Sequence, residues 1–169
     1  MNLRHSSLRQ RVLALCLTTL AASGAWAIEA GATPPEVNLP GVKDTISLAA
    51  LKGKVVYVDF WASWCGPCKQ SFPFMNQLQS RYGEQGFEIV AINLDARRDE
   101  ADKFLAEVPA HFKVAFDAKG DSAMRFEVKG MPSSYLIGRD GKVLAAHKGF
   151  KEEDRKDLEA RIAQALASK

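Results

Sequence analysis

The chain is expected to fold as an α/β domain, with a mixed central sheet, helices on both faces and an N-terminal hairpin extension. Three observations lead there. Val55-Val56-Tyr57-Val58-Asp59-Phe60-Trp61 and residues 87–94 are near-continuous apolar runs, as in strands covered on both faces. Apolar positions recur at helical spacing at Phe72, Met75, Leu78 and Tyr82, and again at Leu158, Ile162, Ala163 and Leu166. Late in the chain, 133–137 and 142–147 flank Gly138-Arg139-Asp140-Gly141, a turn of hairpin type, so part of the sheet is antiparallel.

Residues 1–27 read as a cleaved signal peptide: Arg4, Arg9 and Arg11 precede an apolar run that ends in the small-residue triplet Ala25-Trp26-Ala27. Thr18, Thr19, Ser23 and Gly24 interrupt that run, which stops short of the ~18 apolar residues of a spanning helix, so an uncleaved anchor is the lesser reading. Cys16, inside the run behind Leu15, is read as an apolar residue removed with it. Arg9-Gln10-Arg11 is no consecutive arginine pair, which favours export of an unfolded chain to the periplasm.

Residues 28–35, with Thr33-Pro34-Pro35, read as a flexible lead-in, and 36–169 as one domain. Two short apolar pieces around Pro40-Gly41, within 37–48, suggest a hairpin. After the strand at 55–61 comes a helix over 66–82 stopped by Gly83, then a strand at 87–94 and a helix over 99–108. A short strand at 113–116, one or two helical turns at 122–126, the hairpin strands and a helix over 152–167 complete the order.

Charge excludes some functions. The signal region holds three of the 23 basic residues and none of the 20 acidic ones, so the remaining 142 residues balance. No basic excess is left to neutralise phosphates, which argues against nucleic acid as a partner.

Past residue 27 the cysteines are Cys65 and Cys68. Three residues apart, they close too short a loop for a structural staple, whose stabilisation grows with loop length, and suit redox switching better. A zinc site needs four ligands, and no second cysteine pair exists. A strand running straight into a helix that starts at Cys-x-x-Cys places the first sulfur among unpaired N–H groups at the positive helix end, which favours its thiolate. Cys65 is therefore the expected nucleophile, and Cys68, a turn further in, the resolving thiol. Pro67 restricts the loop and Gly66 permits close packing. Asp59, an acid inside an apolar strand, should hold a proton near neutrality.

The run Val58-Asp59-Phe60-Trp61-Ala62-Ser63-Trp64-Cys65-Gly66-Pro67-Cys68 closely resembles thioredoxin, and with its export signal and longer middle region the chain resembles the exported TlpA-like branch of that superfamily over residues 36–168. The resemblance implies the thioredoxin fold and a thiol-disulfide oxidoreductase that uses a redox-active Cys65–Cys68 disulfide, with no other cofactor and no metal. It implies that Asp59 assists proton transfer at Cys68, that Pro73 kinks the active-site helix, and that Gly130-Met131-Pro132 forms a cis-proline loop receiving an extended substrate segment.

Trp64 belongs on this reading to the docking surface and Trp61 to the core. Two features depart from the pattern. Ser71 stands where several TlpA-like reductases serving cytochrome c maturation carry a glutamate, which argues against that dedicated role, and no lysine around residues 90–93 accompanies the buried acid.

The expected partners are disulfide-bearing exported proteins and a membrane electron donor, since Gly66-Pro67 leans towards a reductant; the chain is expected to act as a monomer. His111 and His147 read as surface or strand residues. Two rival readings are a peroxiredoxin-like peroxidase, which usually relies on a lone cysteine with nearby Thr and Arg, and a Cu(I)-binding thiolate module.

Overall fold

A computed structural model describes residues 28–168; the expected signal peptide lies outside them. The sheet has the order β5-β4-β3-β6-β7, formed by β3 (Val55–Trp61), β4 (Phe87–Asn93), β5 (Lys113–Phe116), β6 (Ser133–Ile137) and β7 (Val143–Lys148). β3 pairs in parallel with β4, and β4 with β5, whereas β6 runs antiparallel to both β3 and β7. This is the mixed sheet of a thioredoxin fold, and the N-terminal hairpin is formed by β1 (Asn38–Pro40) and β2 (Thr45–Ser47).

All seven residues of β3 are buried, because the strand is covered on both faces, and their alternation divides the core. On one face Val55, Tyr57 and Trp61 pack with Phe72, Met75 and Leu78 of α1 (Gly66–Tyr82), Phe104 of α2 (Arg98–Glu107), and Leu158 and Ile162 of α4 (Arg155–Ala167). On the other, Val56, Val58 and Phe60 meet Val37 and residues Ala123 and Phe126 in and after α3 (Asp121–Arg125). Phe72 anchors the first cluster, its ring 4.9 Å from Trp61, 5.0 Å from Phe104 and 5.3 Å from Phe112.

Several expected boundaries move. β7 begins at Val143, not 142, and a register shift beside Leu136 and Ile137 lets Leu144 bulge outwards. Residues 152–154 form a tight three-residue turn before α4, so the last α-helix is shorter than its apolar spacing implied. The lead-in at 28–35 is not loose along its length. Gly31 N–H donates to Val143 O at 2.7 Å, Val143 N–H to Ala32 O at 2.9 Å and Lys142 Nζ to Thr33 Oγ1 at 2.6 Å, so this segment occupies the free hydrogen-bonding side of edge strand β7. At the opposite edge Gly41, beside the hairpin, bridges to Ala115 of β5.

Because Phe72 is fully buried among three other rings, Phe72→Ala is expected to cost about 3–5 kcal/mol of stability, read as a lower denaturant midpoint at an unchanged slope. A loss under about 1 kcal/mol would mean that the cluster closes over the gap.

Candidate active site

The site is assembled where β3 ends. After Trp61 the chain turns within Ala62-Ser63-Trp64, with Cys65 N–H donating to Ala62 O at 3.1 Å, and α1 starts at Gly66. Cys65 occupies the N-cap in an extended conformation (φ −85°, ψ 102°), where a Ser or Asp oxygen is usual; its sulfur takes that role, accepting the Cys68 N–H at 3.3 Å. Pro67 sits in the first helical turn, where its missing N–H removes a donor that would lack a partner. No acidic residue lies in that turn, so the positive end of α1 acts on Cys65 undiminished.

A disulfide joins Cys65 and Cys68, with Cα atoms 5.3 Å apart. Cys65 retains 5% of its exposure and Cys68 none, while Trp64 beside them is 73% exposed. Pro73 lies inside α1 and cannot donate to the Lys69 carbonyl one turn earlier.

The turn before the cysteines is held from the segment just past the end of β4. Asp95, almost fully buried, accepts the Ser63 N–H at 3.0 Å, the Ser63 hydroxyl at 3.0 Å and Asn93 Nδ2 at 2.7 Å, and its own N–H donates to Asn93 Oδ1 at 3.1 Å. Sequence reasoning passed over Ser63, Asn93 and Asp95; the available signal was a pair of polar residues closing the apolar run of β4.

The Met131–Pro132 bond is cis. Register pairs Phe60 with Ser133, which brings this bond to the end of β3 from which the cysteine turn departs. Met131, half-buried, packs against the same cluster that contains Cys65 and Cys68. Seven of the residues singled out from sequence, Trp64, Cys65, Gly66, Pro67, Cys68, Met131 and Pro132, thus gather at one end of the sheet. A cavity of about 410 Å³, lined by Leu51, Lys52, Ile137 and Lys142 among others, lies at the opposite end.

Asp59 lies within β3 on the face that α1 covers, 1% exposed. Its Oδ1 accepts the Ser134 hydroxyl at 2.7 Å, and its Oδ2 is buried without a partner. Burial pushes its pKa from 3.8 up to about 7, against the weaker pull of the Ser134 hydrogen bond in the other direction. The Tyr57 phenol, two residues earlier on the same face, is raised by burial and then by the charge of Asp59. Ser134 also went unnoticed in the sequence; two adjacent serines opening an apolar strand were the only hint.

The sequence pattern of the Redoxin family matches residues 29–162. Thiol-disulfide oxidoreductase ResA of Bacillus cereus is 38% identical over 122 residues, 72% of this chain and 68% of that protein. ResA of Bacillus subtilis is 32% identical over 132 residues, covering 78% of this chain and 74% of its own. Among solved structures, the thiol:disulfide interchange protein DsbE from Chlorobium tepidum superposes with a TM-score of 0.82 at 52% identity, over 83% of this chain and all of that one.

Asp59 also makes stability depend on pH. Its folded pKa of about 7 exceeds the 3.8 of the unfolded chain, so between these values the native state holds the extra proton and stability falls as pH rises. The gap is worth roughly 4 kcal/mol once pH exceeds both values. Asp59→Asn is expected to flatten this decline in unfolding midpoints measured on the oxidised protein from about pH 4 to 8. A decline of undiminished slope in the variant would remove Asp59 as its source.

Proposed function

This chain belongs to the Redoxin family and is a protein thiol-disulfide oxidoreductase of the thioredoxin superfamily, and from that premise we propose that it works outside the cytoplasm as a reductant that opens disulfides of other exported proteins. The observation that carries the reading is the Cys65 sulfur at the N-cap of α1, on the one cysteine of the pair that keeps any exposure. The basic and apolar order of residues 1–27 supports export. Gly66-Pro67 between the cysteines, as in thioredoxin, supports the reducing direction.

In the reduced protein the Cys65 thiolate, stabilised by the helix end and by the Cys68 N–H, attacks one sulfur of a substrate disulfide. One S–S bond forms, the substrate's breaks, and its other sulfur leaves as a thiolate. Trp64 and the Met131–Pro132 loop border the approach and hold the substrate segment extended. Cys68 then passes its thiol proton to the unpartnered Oδ2 of Asp59 and attacks Cys65 Sγ. The Cys65–Cys68 bond forms, the mixed disulfide breaks, and the substrate departs with two electrons more than it brought. The protein needs no cofactor besides its own disulfide, acts as a monomer, and is recharged by a thiol donor at the membrane.

Cys65→Ser is expected to abolish reduction of insulin disulfides, and Cys68→Ser to accumulate a covalent one-to-one adduct that dithiothreitol releases. Wild-type rates in both variants would refute the mechanism. Equilibration with glutathione is expected to give a potential nearer the roughly −270 mV of thioredoxin than the about −120 mV of DsbA; a value close to the latter would make the protein an oxidant.

A further inference from the structure

We propose that Ser134 and His147 provide the route by which the proton taken up at Asp59 leaves for solvent, through a small cavity between β6, β7 and α4. The inference rests on the reading that Asp59 accepts the Cys68 proton, and it concerns the fate of that proton once the carboxyl holds it.

A carboxyl buried under α1 must shed its proton before it can act again, and during the reaction the cysteine side is covered by the substrate. The strand register offers another way out. Asp59 of β3 pairs with Ser134 of β6, and Ser134 pairs with His147 of β7, so the three stand side by side in one row across the sheet. The first link is a hydrogen bond, Ser134 Oγ to Asp59 Oδ1 at 2.7 Å. Beyond it, Ser134 and His147 line the same cavity of about 100 Å³, together with Tyr57, Asp157 and Arg161. A water occupies about 30 Å³ of liquid and needs two to four polar partners, which these side chains supply.

His147 ends the row at the surface. Its Nε2 is buried without a hydrogen bond, 3.5 Å from Asp154 Oδ2, which lies just before α4, and its side chain is 28% exposed. An imidazole has two ring nitrogens, so it can take a proton on one and release one from the other, whereas a hydroxyl passes a proton without holding it. The groups facing His147 are Asp154, Asp157 and Arg161, the last two ion-paired at 2.7 Å, with Ser134 on β6. Those sharing the Asp59 side of the sheet are Tyr57 on β3 and Cys68 on α1; its β4 neighbour is Ala91.

In the step itself the carboxyl rotates to exchange its oxygens, which brings the protonated Oδ2 to Ser134 Oγ; that oxygen accepts the proton as its own hydrogen passes to a water in the cavity. From there it reaches His147, which returns one proton to bulk water. One proton enters the row and one leaves, and no electron moves. His147 and Ser134 touch no reacting sulfur; they act through Asp59.

Turnover of insulin by the full chain, with dithiothreitol in excess, would be measured from about pH 5 to 9 in light and heavy water. His147→Gln and Ser134→Ala are each expected to slow it by about five- to tenfold near neutrality, less than the loss of a direct general base, and to enlarge the solvent isotope effect. Added imidazole should restore His147→Gln, and neither change should matter in an Asp59→Asn background. Wild-type rates in His147→Gln, a loss that imidazole leaves untouched, or an equal loss on top of Asp59→Asn would each overturn the proposal. A wild-type chain unable to reduce insulin would instead sink the underlying reading, and the inference with it.

Discussion

A sulfur standing where a helix would ordinarily be capped by oxygen is the interaction on which the molecule depends. The Cys68 N–H points at Cys65 Sγ because β3 delivers its last residue directly to the start of α1, with only a tight turn between them. That sulfur is a poor cap for a neutral thiol and a good one for a thiolate, so the stability of the helix end and the reactivity of Cys65 are the same quantity seen twice. The geometry in turn requires a rigid strand. β3 supplies it by being buried on both faces and hydrogen-bonded on both sides, while Asp95 clamps the turn from just beyond β4.

The same strand carries a residue that is costly to bury. An acid at Asp59, with one oxygen on Ser134 and the other unpartnered, opposes folding at neutral pH because its charged form has lost water without gaining an ion partner. The surrounding core can bear that cost: Trp61, Phe72, Phe104 and Phe112 close one face with mutually packed rings. A position that lowers stability yet sits beside the chemistry is one where function and folding pull in opposite directions.

Sheet edges show a second use of the N-terminal region. Residues 31–33 run along β7 and the hairpin reaches β5, so the segment that precedes the central strand protects both ends of the sheet against pairing with other chains. Apart from the Lys142–Thr33 contact its bonds to β7 come from backbone groups, which explains why a stretch of small residues and prolines gave no sign of order.

The strands, the long helix and the cysteine turn were legible because each rests on short-range rules: apolar alternation or runs, helical spacing, and Cys-x-x-Cys at a strand-to-helix junction. β3, α1, β5 and β6 fall where those rules put them. Asp59 was readable for the same reason, as a charge inside an apolar strand. What escaped depended on register between distant segments. Ser63 meets Asp95 across 32 residues, Ser134 meets Asp59 across 75, and His147 joins that row only because β7 pairs with β6 in one particular alignment. Local sequence determined which atoms could do the chemistry; which polar side chains would stand next to them was decided by strand order and pairing, since hydrogen bonds between remote segments leave no periodicity in the chain.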